Sequence, residues 1–193
     1  MDLSKSYTGA VRKILPGIDI VFDRFHVMAL ANKALDDIRK QQYKKLPKES
    51  RQVLKGQRFL LLKNYNALSE DNAARVNALL EANIPLFQAH AMKEQLRLFW
   101  ELDSADAGAK FILNWIHDAR LTCIQPLVKL ANTLESHLYG LLTYFKHRIT
   151  NGFAEGLNNK IKTLKRQAYG YRDMEYFKLR LYHLHAQKYA LAG

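Results

Sequence analysis

Glu155 stands alone among amides and cations in the segment NGFAEGLNN, which begins a predicted helix. A lone carboxylate at a basic surface suits a metal ligand, because two-metal phosphoryl transfer needs a few carboxylates that converge on Mg²⁺ ions about 4 Å apart. Lys162 and Arg166 follow on the polar side of the same helix, where they could hold phosphates. A helical Glu taken alone is far more often a plain surface residue, so both interpretations are open at this point.

Two aspartates occupy positions where a sheet would bind a ligand. Asp23 ends the segment IDIVF, a short β-branched and aromatic run that we predict to be a buried strand, and ligands bind outside the carboxyl ends of such strands. Asp2 directly precedes a predicted helix, as if it ended a strand itself. The simpler interpretations are an N-cap or a frayed terminus for Asp2, and a buried ion pair with Arg24 or His26 for Asp23.

His26 lies three residues after Asp23 and could form a metal pair with it. One Asp/His pair is weak evidence for a metal site, so a structural hydrogen bond is the better interpretation. Cys123 is the single cysteine and is predicted to lie in the core. One cysteine excludes an intrachain disulfide framework and a zinc ribbon, and it fits a reducing compartment.

Positive charge dominates the chain, with 30 Lys and Arg against 18 Asp and Glu and a formal net charge of +12. Such an imbalance points to a polyanionic partner, with nucleic acid first and an acidic membrane surface second. The alternative is an ordinary solvated helix face in a basic protein. The candidate DNA-binding cations are Lys160, Lys162, Lys165, Arg166 and Arg172.

Helices are predicted to build the first three quarters of the chain around the strand IDIVF. Residues 4–15 have apolar side chains at helical spacing and end at a Pro-Gly pair, and a second amphipathic helix runs from His26 to about Leu46. Residues 48–145 are predicted to form several helices. Ser69 is predicted to cap one of them, with its hydroxyl accepting from a backbone N–H.

The last part of the chain is predicted to form two helices joined by YGYRD. The first helix follows a capping signal at Asn151 and Gly152, and its apolar stripe lies opposite a polar side that includes Asn158 and Asn159. The stripe consists of Phe153, Leu157, Ile161 and Leu164.

No apolar run approaches the roughly 20 residues that a membrane-spanning helix needs. The N-terminus, MDLSKSY, has no hydrophobic signal region. We therefore expect a cytoplasmic protein without a membrane partner.

Two segments resemble a known family. IVFDRFHVMALANKALDDIR and TNGFAEGLNNKIKTLKRQAYGYRDMEYFKLRL are similar to the insertion-sequence transposases of the ISL-three family, in the DDE, RNase H-like superfamily. The order of DRFHV, NGxxEGxNNKIK and KRxAYGYR matches, and the resemblance covers essentially the whole chain.

The resemblance implies a mostly α fold with a partial RNase H-like α/β core and a large all-helical insertion. The core would comprise residues 1–45 and the C-terminal helices 147–193, with the insertion at 46–146. Glu155 matches the catalytic glutamate, and Asp2 takes the role of the second catalytic aspartate, with Asp23 as the alternative. These acids would hold Mg²⁺ or Mn²⁺. His26, Asn158 and Asn159 would support them.

The resemblance also implies double-stranded DNA at transposon ends as the partner, with the bacterial nucleoid as the location. The first catalytic aspartate and the end-recognition domains of the family have no counterpart in this sequence, so we expect a catalytic-domain fragment that is inactive alone. The alternative is a non-catalytic basic helical remnant that binds DNA or inhibits a transposase. An open edge of IDIVF would favour a homo-oligomer, and a full-length transposase is the other expected protein partner.

Overall fold

The computed structural model describes residues 3–48, 51, 54–149 and 152–190. It divides into two compact units, residues 1–149 and 150–193. In the first unit the helices are α1 (Lys5–Ile14), α2 (Arg24–Lys45), α3 (Arg58–Leu62), α4 (Glu70–Glu81), α5 (Ile84–Arg97), α6 (Ala105–Leu121), α7 (Gln125–Ser136) and α8 (Leu138–His147). Short 3₁₀ turns at Tyr65–Ala67 and Leu98–Glu101 join some of them. The second unit contains α9 (Gly152–Gln167) and α10 (Met174–Ala190).

The segment IDIVF is extended but forms no strand, so that prediction was wrong. Ile20, Val21 and Phe22 are buried, as predicted, yet the backbone N–H of Phe22 donates to the carbonyl of Gly140 in α8 at 3.1 Å. A strand needs a ladder with a neighbouring strand, and the described residues contain no second strand. The edge that we expected to be open is therefore packed on a helix.

The helix α2 lies at the centre of the first unit and packs against α3, α5 and α7. Its prediction was confirmed, although it begins two residues earlier than the sequence indicated. One face is buried at helical spacing, which explains why the helix forms here. That face consists of Val27, Ala31, Ala34, Leu35 and Ile38.

Aromatic and aliphatic side chains from α5 to α8 complete the core. Trp115 is 1% exposed, and its indole N–H donates to the carbonyl of Met92 at 2.9 Å, which satisfies the polar atom of a buried ring. Phe99 and Trp100 are also buried, whereas Phe87 is exposed.

Two further predictions in this unit were wrong. Cys123 is exposed because it lies in the turn between α6 and α7, where its backbone is left-handed with φ of +54°. Ser69 does precede α4, but its hydroxyl accepts from the side-chain amide of Asn72 at 2.9 Å instead of from a backbone N–H. Within the described residues, no helix has both the length and the apolar content that a membrane crossing requires.

Candidate nucleic-acid interface and acidic residues

Asp23 is the N-cap residue of α2, and 8% of its surface is exposed. Its backbone carbonyl accepts from the N–H of Val27 at 3.3 Å, while its carboxylate makes no capping hydrogen bond. The next residue, Arg24, places its guanidinium 5.5 Å from the centre of the Trp100 ring. The first turn of α2 therefore carries a buried acid beside a cation that stacks on an aromatic ring.

His26 lies half-buried in the same turn, with its ring edge-on to that of Phe25 at 5.5 Å. Asp23 and His26 are thus both on the first turn of α2 or directly before it. Among the residues that the structure describes, no group of three or more His, Cys, Asp or Glu side chains could together hold a metal ion.

The structure describes the other candidate acids only in part. Asp2 lies outside the described residues. Glu155 and Asn158 are in α9, whose backbone is described at these positions but whose side chains there are not. The predicted apolar stripe is confirmed at Leu164, which is buried, and at Ile161, which is half-buried. Phe153 and Leu157 have no described side chain.

The polar side of α9 is exposed, as the sequence predicted. The exposed residues here and in the following turn are Asn159, Lys160, Lys162, Lys165, Arg166 and Arg172. Among the described side chains of this unit, an ion pair joins Lys178 to Glu175 in α10, at 2.7 Å, and none of these cations takes part in it. The candidate DNA-binding cations therefore have no carboxylate partner in the described part of their unit.

The segment AYGYRD forms the turn that joins α9 to α10. Tyr169 and Gly170 both have positive φ, at +50° and +103°, and the N–H of Gly170 donates to the carbonyl of Lys165 at 3.0 Å. This αL ending satisfies carbonyls at the C-terminus of α9. Asp173 then caps α10, since its carboxylate accepts from the N–H groups of Glu175 and Tyr176 at 2.9 and 3.0 Å.

Aromatic contacts hold this turn together. The rings of Tyr171 and Phe177 lie 4.8 Å apart, and the ammonium of Lys165 is 4.9 Å from the centre of the Phe177 ring. Phe177 is buried at 6% exposure. Arg172 is exposed in this turn, and Lys165 lies over a ring from its own unit.

Asp19 was not identified from the sequence, because it lies inside the predicted strand. Its carboxylate accepts from Lys146 at 2.6 Å and lies 2.8 Å from the ring nitrogen of His147. The hydrogen bonds from Lys146 and then His147 lower the pKa of Asp19 below its usual value. The sequence did contain a signal that Asp19 faces away from the core. Asp19 stands between apolar neighbours, and in a strand-like run its side chain lies on the opposite face from that of Ile20.

These features place the chain in the class of basic helical proteins. Its exposed cations suit a polyanionic partner. A family model of DDE transposases of the ISL-three type, described as Transposase, matches residues 1–181. The chain belongs to this transposase family.

Curated relatives agree with the family. The transposase for insertion sequence element IS1001 of Bordetella parapertussis is 33% identical over 184 residues, which cover 94% of this chain and 45% of the relative. The transposases for insertion sequence element IS1557 of two Mycobacterium tuberculosis strains are 28% identical over 174 residues, with 78% of this chain and 39% of each relative covered. The chain thus spans less than half the length of these relatives. No solved structure gives a significant match.

Proposed function

We propose that this chain supplies DNA-contacting cations and metal-holding acids of a DDE transposase catalytic domain. The observation that carries the proposal is the family match over residues 1–181, which includes the segments of Asp2, Asp23 and Glu155. Metal-dependent cleavage and transfer of DNA strands would be the reaction of the whole protein, with an RNase H-like core as its framework.

The cations of the second unit would bind the sugar-phosphate backbone of transposon-end DNA. Lys160, Lys162 and Arg166 are exposed on α9 and have no ion pair among the described residues. Lysine and arginine contacts to phosphates supply most of the sequence-independent affinity for DNA. This support is independent of whether the acids act in catalysis.

The proposed roles of the acids are those that the resemblance of the two sequence segments implies. Glu155 and Asp2 would hold Mg²⁺ or Mn²⁺, with Asp23 as the alternative to Asp2 and with His26, Asn158 and Asn159 as supporting residues. The metal, when bound, activates an attacking oxygen and stabilises the leaving one at the phosphodiester. By helical spacing, position 155 falls on the same side of α9 as 159, 162 and 166, so the acid and the phosphate-binding cations would face one strand.

Two variants test the proposal because they should have opposite effects. Glu155→Gln is expected to weaken Mn²⁺ binding by about tenfold or more, since it removes a charged oxygen ligand, and to leave duplex affinity nearly unchanged. Lys162→Ala with Arg166→Ala should weaken duplex binding and lower the salt slope by about 2, while Mn²⁺ binding persists. Electron paramagnetic resonance of free Mn²⁺ and fluorescence anisotropy measure the two affinities.

The controls are Glu81→Gln and Lys110→Ala, which change exposed residues on α4 and α6. Asp2→Asn and Asp23→Asn decide between the two aspartates. Only the substitution that removes a metal ligand should weaken Mn²⁺ binding as Glu155→Gln does. One outcome would refute the catalytic roles. If Lys162→Ala with Arg166→Ala weakens duplex binding while none of the three acid substitutions changes Mn²⁺ binding, the chain is a non-catalytic DNA-binding protein.

A further inference from the structure

A groove of about 460 Å³ runs between α2 and α7 in the first unit, and its lining includes none of the candidate acids and no residue of α9. Leu30, Ala34, Pro126 and Leu130 contribute its apolar lining. The remaining lining residues are polar or charged. They are Lys33, Asp37, Lys40, Gln41, Lys44, Gln125, Lys129 and Thr133.

Three of the four lysines form a row along α2. Lys33, Lys40 and Lys44 follow one another at seven and four residues, which places them on the same face of the helix. At 1.5 Å per residue, the intervals are about 10 Å and about 6 Å along the helix axis. Lys129 extends from α7 on the other side of the groove.

Acidic neighbours neutralise only part of this charge. The ammonium of Lys40 lies 2.8 Å from the carboxylate of Asp36 and 3.7 Å from that of Asp37. Asp36 is also bound by the guanidinium of Arg39 at 2.9 Å. Lys33, Lys44 and Lys129 are exposed and, within the described part of the chain, are in no ion pair.

We propose that this groove binds the sugar-phosphate backbone of a DNA strand, as a contact separate from that of α9. The lysine intervals correspond to about three and two nucleotides, because one strand carries a phosphate every 3.4 Å of helix axis. The exposed amides of Gln41 and Gln125 add hydrogen-bond donors of the kind that commonly contact phosphate oxygens. A linear row of cations fits a regular polyanion better than it fits a single small anion.

The inference rests on the proposed function for the presence of DNA, but it concerns different residues, and the DNA-contacting cations of the proposed function lie in the other unit. It also gives the helical insertion a role in holding DNA, since α7 lies within residues 46–146. The proposal depends mainly on Lys33, Lys44 and Lys129, which lie on both walls of the groove. Lys40 contributes less to the positive charge of the groove because it is paired with Asp36.

Lysine acylation in the presence and absence of a short duplex, read by mass spectrometry, tests both sites in one measurement. We expect the duplex to protect Lys33, Lys44 and Lys129, and to leave Lys13, Lys55 and Lys110 reactive. Protection of Lys160 and Lys162 reports on the proposed function separately. Protection confined to the second unit would overturn the groove and keep the proposed function.

Variants of equal charge then separate local contacts from long-range attraction. Lys33→Ala with Lys44→Ala and Lys129→Ala is expected to weaken duplex binding by about tenfold or more and to lower the salt slope by about 2 to 3, since each phosphate contact contributes about 0.9. Changing Lys13, Lys55 and Lys110 to Ala together is the matched control, with an expected loss below about threefold.

Charge retention gives the final comparison. Lys33→Arg with Lys44→Arg and Lys129→Arg should keep the salt slope of the wild type, because arginine also contacts phosphates. Equal losses for the groove triple and the control triple would overturn the proposal, since net charge alone would then explain the binding.

Discussion

Lys93 is buried at 2% exposure, and its ammonium is almost fully satisfied within the protein. It donates to the carbonyls of Leu61 and Lys63 at 2.7 and 2.9 Å and lies 2.6 Å from a carboxylate oxygen of Glu94. Burial lowers the pKa of Lys93, and the nearby carboxylate of Glu94 opposes that shift. The cation thus ties α5 to the C-terminal end of α3, where a positive charge is favourable.

His90 lies one turn before Lys93 and has the opposite character. It is 5% exposed, and its Nε2 atom finds no hydrogen-bond partner among the described residues. Burial, followed by the positive charges of Lys93 and Arg97, lowers the pKa of His90 from 6.5 to about 4. The folded protein therefore keeps this ring neutral at a pH where the unfolded chain would protonate it.

His90 should make the protein less stable in mild acid. The pKa of His90 is lower in the folded protein than in the unfolded chain. Its contribution to the free energy of unfolding is therefore fully present above pH 6.5 and is lost as the pH falls toward 4. Between pH 7 and 4.5 we expect about 2 kcal/mol of loss from this residue, at 1.36 kcal/mol per unit of pKa difference. Urea unfolding of the wild type and of His90→Leu measures it, and the variant should lose that much less.

The exposed His117 provides the comparison, as His117→Leu should keep the acid sensitivity of the wild type. Identical pH profiles for the wild type and His90→Leu would show that His90 is accessible to protons in the folded state.

Individual residues were predicted with mixed success, for physical reasons. Burial of Ile20 and Phe22 was predicted correctly, because β-branched and aromatic side chains gain much from leaving water. The exposure of Cys123 could not be predicted, since its apolar neighbours in the sequence do not reveal that it lies in the turn between α6 and α7. The buried polar positions of His90 and Lys93 also depend on tertiary partners that are distant in the sequence.

At the scale of elements, the segment before α2 makes a close approach to α8 at Gly140. A side-chain carbon at Gly140 would collide with the ring of Phe22 and would lie 3.1 Å from the carbonyl oxygen of Ile20. The Phe22 ring also packs edge-on against His137 at 4.9 Å and Tyr139 at 5.4 Å. This packing positions Asp23, which directly follows Phe22.

Gly140→Ala should therefore be destabilising by about 1–3 kcal/mol, because the fully buried Phe22 ring has to move. Gly9→Ala is the matched control in α1, where nothing lies within 4 Å of the added carbon. There, Ala should stabilise the helix by about 0.5–1 kcal/mol. Urea unfolding gives both values, and a neutral or stabilising Gly140→Ala would contradict the close approach.

Helices were predictable where the apolar periodicity was strong. The one strand that we predicted, IDIVF, does not form among the described residues. The repeats in α1, α2 and α9 gave the correct element type, because a 3.6-residue period puts one face in the core. IDIVF has the composition of a strand, but composition reports burial and not the hydrogen-bond partner. Its partner is a helix carbonyl more than a hundred residues later, which no local pattern encodes.

The whole first unit has one continuous core that runs from Leu3 to Leu141. Residues on α2, in the predicted catalytic core 1–45, are buried together with residues on α5, α6 and α7, in the predicted insertion 46–146. Those domain boundaries and the RNase H-like core remain predictions from the family resemblance. The core shows that α2 and the following helices stabilise each other.

Residues 1–149 should therefore fold without the rest of the chain. We expect a helical circular dichroism spectrum and a single cooperative urea transition, because the core is contained within this unit. The segment 46–146 is the matched control, and it should unfold without cooperativity since it lacks α2. A cooperative transition for 46–146 and none for 1–149 would reverse the assignment.

Cys123 gives this chain one exposed thiol, in the turn between α6 and α7 of the helical first unit. An exposed thiol reacts with maleimide or methanethiosulfonate reagents, so a spin label or fluorophore can be attached at a single known site. Air oxidation would join two copies through the same atom, and a reducing agent has to be present when association is measured. Two spin-labelled copies in one complex would then report their assembly as a single interspin distance.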